Sequence, residues 1–280
     1  MAVYFITGKL GAGKSIQAVD QIQQRIKSGR RVATNMDLFL DELMPPDSAQ
    51  SVARIPDKPR LEDLDNLGLG YEGDFFDEKK FGLLVLDECA SFLNVRKWND
   101  KERAGVIDWF IHARKKRWDI IFLVQAPNVI DRQVFEALCE HIGYCKRIDR
   151  VPLFRFIRLP QVHVCNVYYG ESKSDGIKVD TWSYTGDWLH RGYDTAQCFV
   201  DGLEYLPGHA DPVDMRAPYT MLSAWHLKGR YLQKTESKPF RIPGPFKILA
   251  WLAFGIYAVL TEQAAVDVAR RCGMYRGQRR

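Results

Sequence analysis

Eight residues near the start of the chain, Gly8-Lys9-Leu10-Gly11-Ala12-Gly13-Lys14-Ser15, satisfy G-x-x-x-x-G-K-[ST] in full. The pattern constrains the fold because the loop needs a buried strand before it and a helix after it. Both are legible. Ala2 to Thr7 is uncharged and β-rich, as a strand of a covered parallel sheet should be. Ile16, Val19, Ile22 and Ile26 then recur at helical spacing through Ser28, and Gly29 is a natural stop. The glycines allow the backbone to wrap so that its N–H groups converge on phosphate. The following helix offers its positive end to the same anion. Lys14 is placed to reach the β- and γ-phosphates of ATP, and the Ser15 hydroxyl to ligate Mg²⁺. An ordinary glycine-rich turn is the competing reading, and the strand–loop–helix context weighs against it.

The complementary piece is Leu83-Leu84-Val85-Leu86-Asp87-Glu88. Four apolar residues carry two acids to the carboxyl end of a strand, where parallel sheets place ligands. Asp87 is expected to hold Mg²⁺ and Glu88 to polarise the attacking water. A second acid after the metal ligand favours hydrolysis over phosphoryl transfer. Ile120 to Val124 is another buried-type strand, and it ends at Gln125. Gln125 is a candidate for sensing the γ-phosphate or holding water; a plain strand-end polar residue is the equal alternative. His112 to Arg117 is the densest basic run of this half. Within it Arg114 is the candidate arginine finger, expected to complete a neighbour's site in an oligomer. A DNA-facing patch is another reading of the run, and a solvated helix end explains most of its residues.

Strands alternate with helices up to about residue 150. The expected fold is therefore an α/β P-loop NTPase, with a parallel sheet covered by helices on both faces. Helices are expected over Arg103–Lys116, with Val106, Ile107, Phe110 and Ile111 on one face, and around Val134–Leu138. Tyr144–Ile148 reads as a further strand. Residues 37–80, rich in proline and glycine, read as a surface connection with short helices at Leu38–Leu43 and Leu61–Leu67. Val162–Tyr169 and Ile177–Tyr184 read as a hairpin, while 186–245 show no clear period. The organisation is a P-loop ATPase domain over 1–160, a β-containing extension over 161–245, an apolar helix over 246–266 and a basic tail over 267–280.

Of the 280 residues 46% are apolar and 27% charged, so wholesale disorder is excluded. The net charge of +5 is modest, but it is concentrated. Basic clusters lie on either side of Ile248 to Leu260, a thirteen-residue uncharged run. Such flanks suit a membrane surface or a polyanion. A spanning helix needs about 20 residues, so the run reads either as a membrane span extended to Val266 or as a buried helix. The six cysteines show no CxxC pair and no zinc spacing, which points to reduced thiols. Met1 leads straight into a strand, so no signal peptide is expected.

These motifs, with Gly29 to Asn35 (GRRVATN), Asp119 to Gln125 (DIIFLVQ), Gly192-Tyr193-Asp194-Thr195 and Tyr219 to Tyr231, resemble the zonular occludens toxin (Zot)-like proteins of filamentous phages and prophages, the gene I assembly proteins among them. The resemblance implies an ATPase that powers assembly and extrusion of the virion. It implies a host inner-membrane protein with one spanning helix and a cytoplasmic N-terminal ATPase domain. The implied partners are like subunits in a ring, coat protein, the complex of single-stranded DNA with its binding protein, an outer-membrane secretin or channel, and membrane lipid. HARKKRWD stands where relatives commonly carry an Arg-His pair. The short stretch after the apolar run leads us to expect no toxin activity. A soluble P-loop enzyme such as a nucleotide kinase and a non-hydrolysing nucleotide-binding adaptor are the alternatives.

Overall fold

The computed structural model describes residues 2–93, 101–148, 162–174, 176–185, 188–199, 203–204 and 213–228. Its frame is a sheet of nine strands. In chain order they are β1 (Val3–Thr7), β2 (Val32–Thr34), β3 (Val52–Arg54), β4 (Gly82–Leu86), β5 (Trp118–Val124), β6 (His141–Arg147), β7 (Val162–Tyr169), β8 (Ile177–Thr185) and, after the pair β9 (Leu203–Glu204) and β10 (Val213–Asp214), β11 (Tyr219–Met221). The spatial order is β11-β3-β2-β4-β5-β1-β6-β7-β8. The six strands from β3 to β6 are parallel to their neighbours, while β7, β8 and β11 pair antiparallel. The strands before residue 150 are thus parallel, as the alternation of elements implied, and the sheet becomes mixed through the strands after residue 160. It also continues past residue 160, so the hairpin β7–β8 extends the same sheet as the P-loop strand.

Strands β2, β4 and β5 are buried along their whole length and β1 at all but Tyr4, yet their side chains still alternate. Ile6, Leu83, Val85, Ile121 and Leu123 face one layer, together with α1 (Lys14–Lys27) and α2 (Leu40–Leu43). Val3, Phe5, Leu84, Leu86, Ile120 and Phe122 face the other layer. That layer holds α3 (Leu61–Asp65), α4 (Ala90–Leu93), α5 (Lys101–Ile111) and α6 (Arg132–Leu138). Rings pack through it: Phe5 lies 4.8 Å from Phe122 and 4.9 Å from Phe135, and Phe110 lies 5.1 Å from Phe122. Such pairs add roughly 0.5–1.5 kcal/mol each beyond their buried area.

Two expectations about local structure change. The 37–80 connection contains β3, whose Val52 is fully buried beside β2, so part of it belongs to the core. Helix α5 ends at Ile111, earlier than its apolar spacing suggested, and Arg117 closes the following turns with φ 62°. Ile111 stands exposed and Trp109 takes the buried place beside Val106 and Phe110.

Helix α1 differs most from its sequence pattern. Gln17, Asp20, Gln21 and Gln23 are buried along with its isoleucines. The cover comes from β7, from β8 and from a segment over 188–199, which begins with a 3-10 turn at Trp188–Gly192. We call this segment the strap. Gln17 Nε2 donates to the His163 carbonyl at 2.9 Å and Gln23 Nε2 to the Leu43 carbonyl at 2.6 Å, so these two buried amide nitrogens have partners, while Gln17 Oε1 has none among the described residues.

The five described cysteines are free. Burial pushes the Cys89 thiol well up from its usual range, and a hydrogen bond with the Cys145 thiol, followed by burial, does the same to Cys165. Cys198 is exposed. A thiol reagent is therefore expected to modify Cys198 well before Cys89 or Cys165 in the native protein, checked by peptide mapping. The apolar run at 248–260 and the basic tail lie outside the described residues. Among the described residues no helix is long and apolar enough to cross a membrane.

Candidate functional site

The loop from Gly8 to Gly13 leaves the carboxyl end of β1, at the centre of the sheet, and turns into α1. Gly13 caps the helix in the left-handed region, with φ 93°. Ala12 N–H donates to the Lys9 carbonyl at 3.0 Å and closes the turn. The outer wall of the loop is β6 and β7. A Cβ on Gly8 would come within 2.8 Å of the Cys145 carbonyl oxygen, and one on Gly13 within 2.0 Å of His163 Nδ1. His163 itself is buried, with Nδ1 3.4 Å from the Ala12 carbonyl oxygen.

The Lys14 ammonium lies over the loop and donates to the Gly8 carbonyl at 3.0 Å. Ser15 Oγ donates to Asp87 Oδ2 at 3.1 Å. The two motifs, 72 positions apart in the chain, therefore meet at one point. Strand β5 separates their strands, and Gln125 at its end lies between them. The Gln125 carbonyl accepts from Thr7 Oγ1 at 3.1 Å, which ties the ends of β5 and β1 together. Glu88 is exposed at the mouth and holds φ 50°, a left-handed conformation uncommon for a residue with a side chain. Its N–H donates to Asp87 Oδ1 at 2.7 Å.

Asp87 keeps some surface open to the cleft, but protein crowds around it. That desolvation raises its carboxyl from the ordinary range, although the Glu88 N–H, the Ser15 hydroxyl and the Lys14 charge all pull it back. A carboxylate and a hydroxyl 3.1 Å apart are a hard oxygen donor set. This suits a divalent cation such as Mg²⁺ that also carries phosphate oxygens and water.

The cleft encloses ≈ 390 Å³, within the range of small-molecule sites. Lys14, Ser15, Asp87, Glu88 and Gln125 all line it. Of the remaining loop residues, Gly11 and Gly13 line it as well, Leu10 points out from its rim, and Gly8, Lys9 and Ala12 form the turn behind. Arg114 is not brought there. It sits before β5, pairs with Glu78 at 2.7 Å, and so lies at the amino edge of the sheet, opposite the loop.

Sequence reasoning missed the far wall. Arg147 at the end of β6, His163 on β7, and His190, Tyr193 and Gln197 from the strap all line the cleft. The Gly192-Tyr193-Asp194-Thr195 run was the available signal, but nothing in its composition places it beside the loop. Asn35 enters the sequence reading only as the end of the Gly29 to Asn35 stretch, with no role of its own. It is fully buried and receives the Asp87 N–H on Oδ1 at 2.7 Å, while its Nδ2 donates to the Asp87 carbonyl at 3.0 Å.

The family model described as zonular occludens toxin (Zot) matches residues 2–196. The Gene 1 protein of Escherichia phage If1 is 44% identical over 251 residues, covering 85% of this chain and 67% of that protein. The Gene 1 protein of Enterobacteria phage M13 is 48% identical over 247 residues, covering 83% and 67%. Among solved structures, the N-terminal domain of zonular occludens toxin from Neisseria meningitidis aligns with a TM-score of 0.41 at 16% identity, over 69% of this chain and 98% of that one.

Proposed function

The chain belongs to the zonular occludens toxin (Zot) family, and on that premise we propose that it is a P-loop ATPase that powers assembly and extrusion of a filamentous phage. The observation that carries the enzymatic half is the contact between Ser15 and Asp87 beneath the Lys14 ammonium, with Glu88 and Gln125 in the same cleft. Loop N–H groups and the start of α1 bind the polyphosphate and orient it. Lys14 exchanges its Gly8 carbonyl for phosphate oxygens. Mg²⁺, held by Ser15 and Asp87, supplies charge neutralisation when bound. Glu88, exposed at the mouth, accepts a proton from the attacking water, and Gln125 holds that water or the terminal phosphate by hydrogen bond.

The assembly half rests on the family and on similarity to the Gene 1 proteins of filamentous phages. In this reading residues 246–266 anchor the chain in the host inner membrane with the ATPase domain in the cytoplasm. The motor works as a ring of like subunits, and Arg114, exposed on the edge away from its own loop, faces a neighbour. The ring acts on coat protein and on the complex of single-stranded DNA with its binding protein, beside membrane lipid and below an outer-membrane secretin or channel.

The test is steady-state ATP hydrolysis by the full chain in detergent, beside Lys14→Ala and Glu88→Gln. Wild-type turnover should be lost in both variants, and Glu88→Gln should still bind ATP. Loss of one positioned base typically costs about 10²–10⁴ in rate. A wild type that binds ATP yet never turns over, with membrane and single-stranded DNA present, would overturn the motor reading in favour of a binding adaptor.

A further inference from the structure

The strap crosses the carboxyl edge of the sheet beside β2, where main-chain hydrogen bonds and the Gln197 amide tie it down. Phe39 N–H donates to the Gly192 carbonyl at 2.9 Å, and Asp194 N–H to the Asp37 carbonyl at 2.9 Å. Gln197 then inserts its amide into the backbone just beyond β2. Its Nε2 donates to the Asn35 carbonyl and its Oε1 accepts the Asp37 N–H, each at 2.8 Å. Where the sheet ladder has stopped, this amide stands in for a strand partner.

Asn35 does the same one step further in. Its amide holds both main-chain groups of Asp87 and also donates to the Asp57 carbonyl at 3.3 Å. The orientation is fixed by these bonds: a flipped amide would set N–H against N–H and oxygen against carbonyl oxygen. Two side-chain amides in series therefore join the strap to the peptide of Asp87, whose carboxylate meets Ser15. We propose that Gln197 is a positioning residue for the metal site, acting through Asn35 on Asp87. The role of the strap is thus to complete the site that holds the divalent cation, beyond covering α1. The inference rests on the nucleotide- and metal-binding reading of the cleft.

Gln197→Ala removes the donor to Asn35 and the acceptor for Asp37. Gln197→Glu keeps the acceptor but sets an anion against the Asn35 carbonyl. Outer-shell partners of metal ligands typically contribute about 10–100-fold in metal affinity. The affinity of the full-length protein for a fluorescent ATP analogue is to be measured in excess Mg²⁺ and in EDTA. For both variants the gain in affinity that Mg²⁺ confers, the ratio of the two measurements, should shrink by about tenfold. Combining Gln197→Ala with Asn35→Ala should cost no more Mg²⁺ gain than Asn35→Ala alone, since the two act in series.

A Gln197→Ala protein that melts earlier but keeps the full Mg²⁺ gain shows a merely structural residue and overturns the proposal. Equal losses with and without Mg²⁺ show a residue that contacts nucleotide, and also overturn it. A wild type whose nucleotide binding ignores Mg²⁺ would sink this inference together with the reading it rests on.

Discussion

Gly13→Ala should cost about a hundredfold in nucleotide affinity while leaving the rest of the fold in place. The added methyl meets two obstacles. At φ 93° a residue with a Cβ is strained by roughly 1–2 kcal/mol. That Cβ would also lie 2.0 Å from His163 Nδ1 and 2.8 Å from its Cγ, so something must move. His163 has little room to give. Its ring is buried, and its carbonyl is held by Gln17 of α1. The loop must shift instead, and it carries Lys14 and Ser15 with it. A displacement of about 1 Å in a positioned group is enough for a hundredfold effect. The check is titration with a fluorescent ATP analogue, with circular dichroism to verify folding. Trimming the obstacle by His163→Ala in the same chain should return part of the affinity. Wild-type affinity in the single variant would mean that the loop does not hold this conformation against β7.

Trp118→Ala should destabilise the folded domain by about 3–5 kcal/mol. The indole opens β5 at the amino edge of the sheet and is 1% exposed. Its Nε1 donates to the Gly68 carbonyl at 2.9 Å, its ring packs on Gly82 of β4, and the Arg31 guanidinium lies 5.9 Å from the ring centroid. Truncation leaves a large void and strands a carbonyl. Because the cleft is at the other edge, molecules that remain folded should bind nucleotide as wild type does. Urea unfolding followed by circular dichroism measures the loss. A change below about 1 kcal/mol would show that the 68–82 connection repacks over the gap, contrary to the tight fit described.

What could be read from the chain before folding follows from how local each signal is. The loop, its strand and its helix are contiguous, so spacing alone places Lys14 and Ser15. Asp87 and Glu88 are legible because a buried parallel strand must end at the ligand edge. Helix α1 misleads for a physical reason. Glutamines opposite an isoleucine stripe normally face water, but here Gln17 and Gln23 find carbonyl partners under cover supplied from far along the chain. Strand β3 hides because three residues flanked by prolines carry too little periodicity to stand out. His163, Gln197 and Asn35 escaped for the same reason as each other. Each works through main-chain contacts to a distant segment, and such contacts leave no mark on composition.

The strap also bears on how the protein is made. Strand β1 is synthesised first, yet it sits at the middle of the sheet, and Ala2 is bonded to Asp119, 117 positions later. The helix that carries Lys14 has no complete cover until Gln197 has left the ribosome. A nascent chain halted before β7 would present half-buried glutamines and an unbraced loop, and long-range pairing of this kind is slow to form. Nucleotide should therefore be of no help to the chain until the strap has emerged. From then on it should act as a folding ligand, so that added nucleotide raises the yield of native protein on refolding and protects α1 amides from hydrogen exchange.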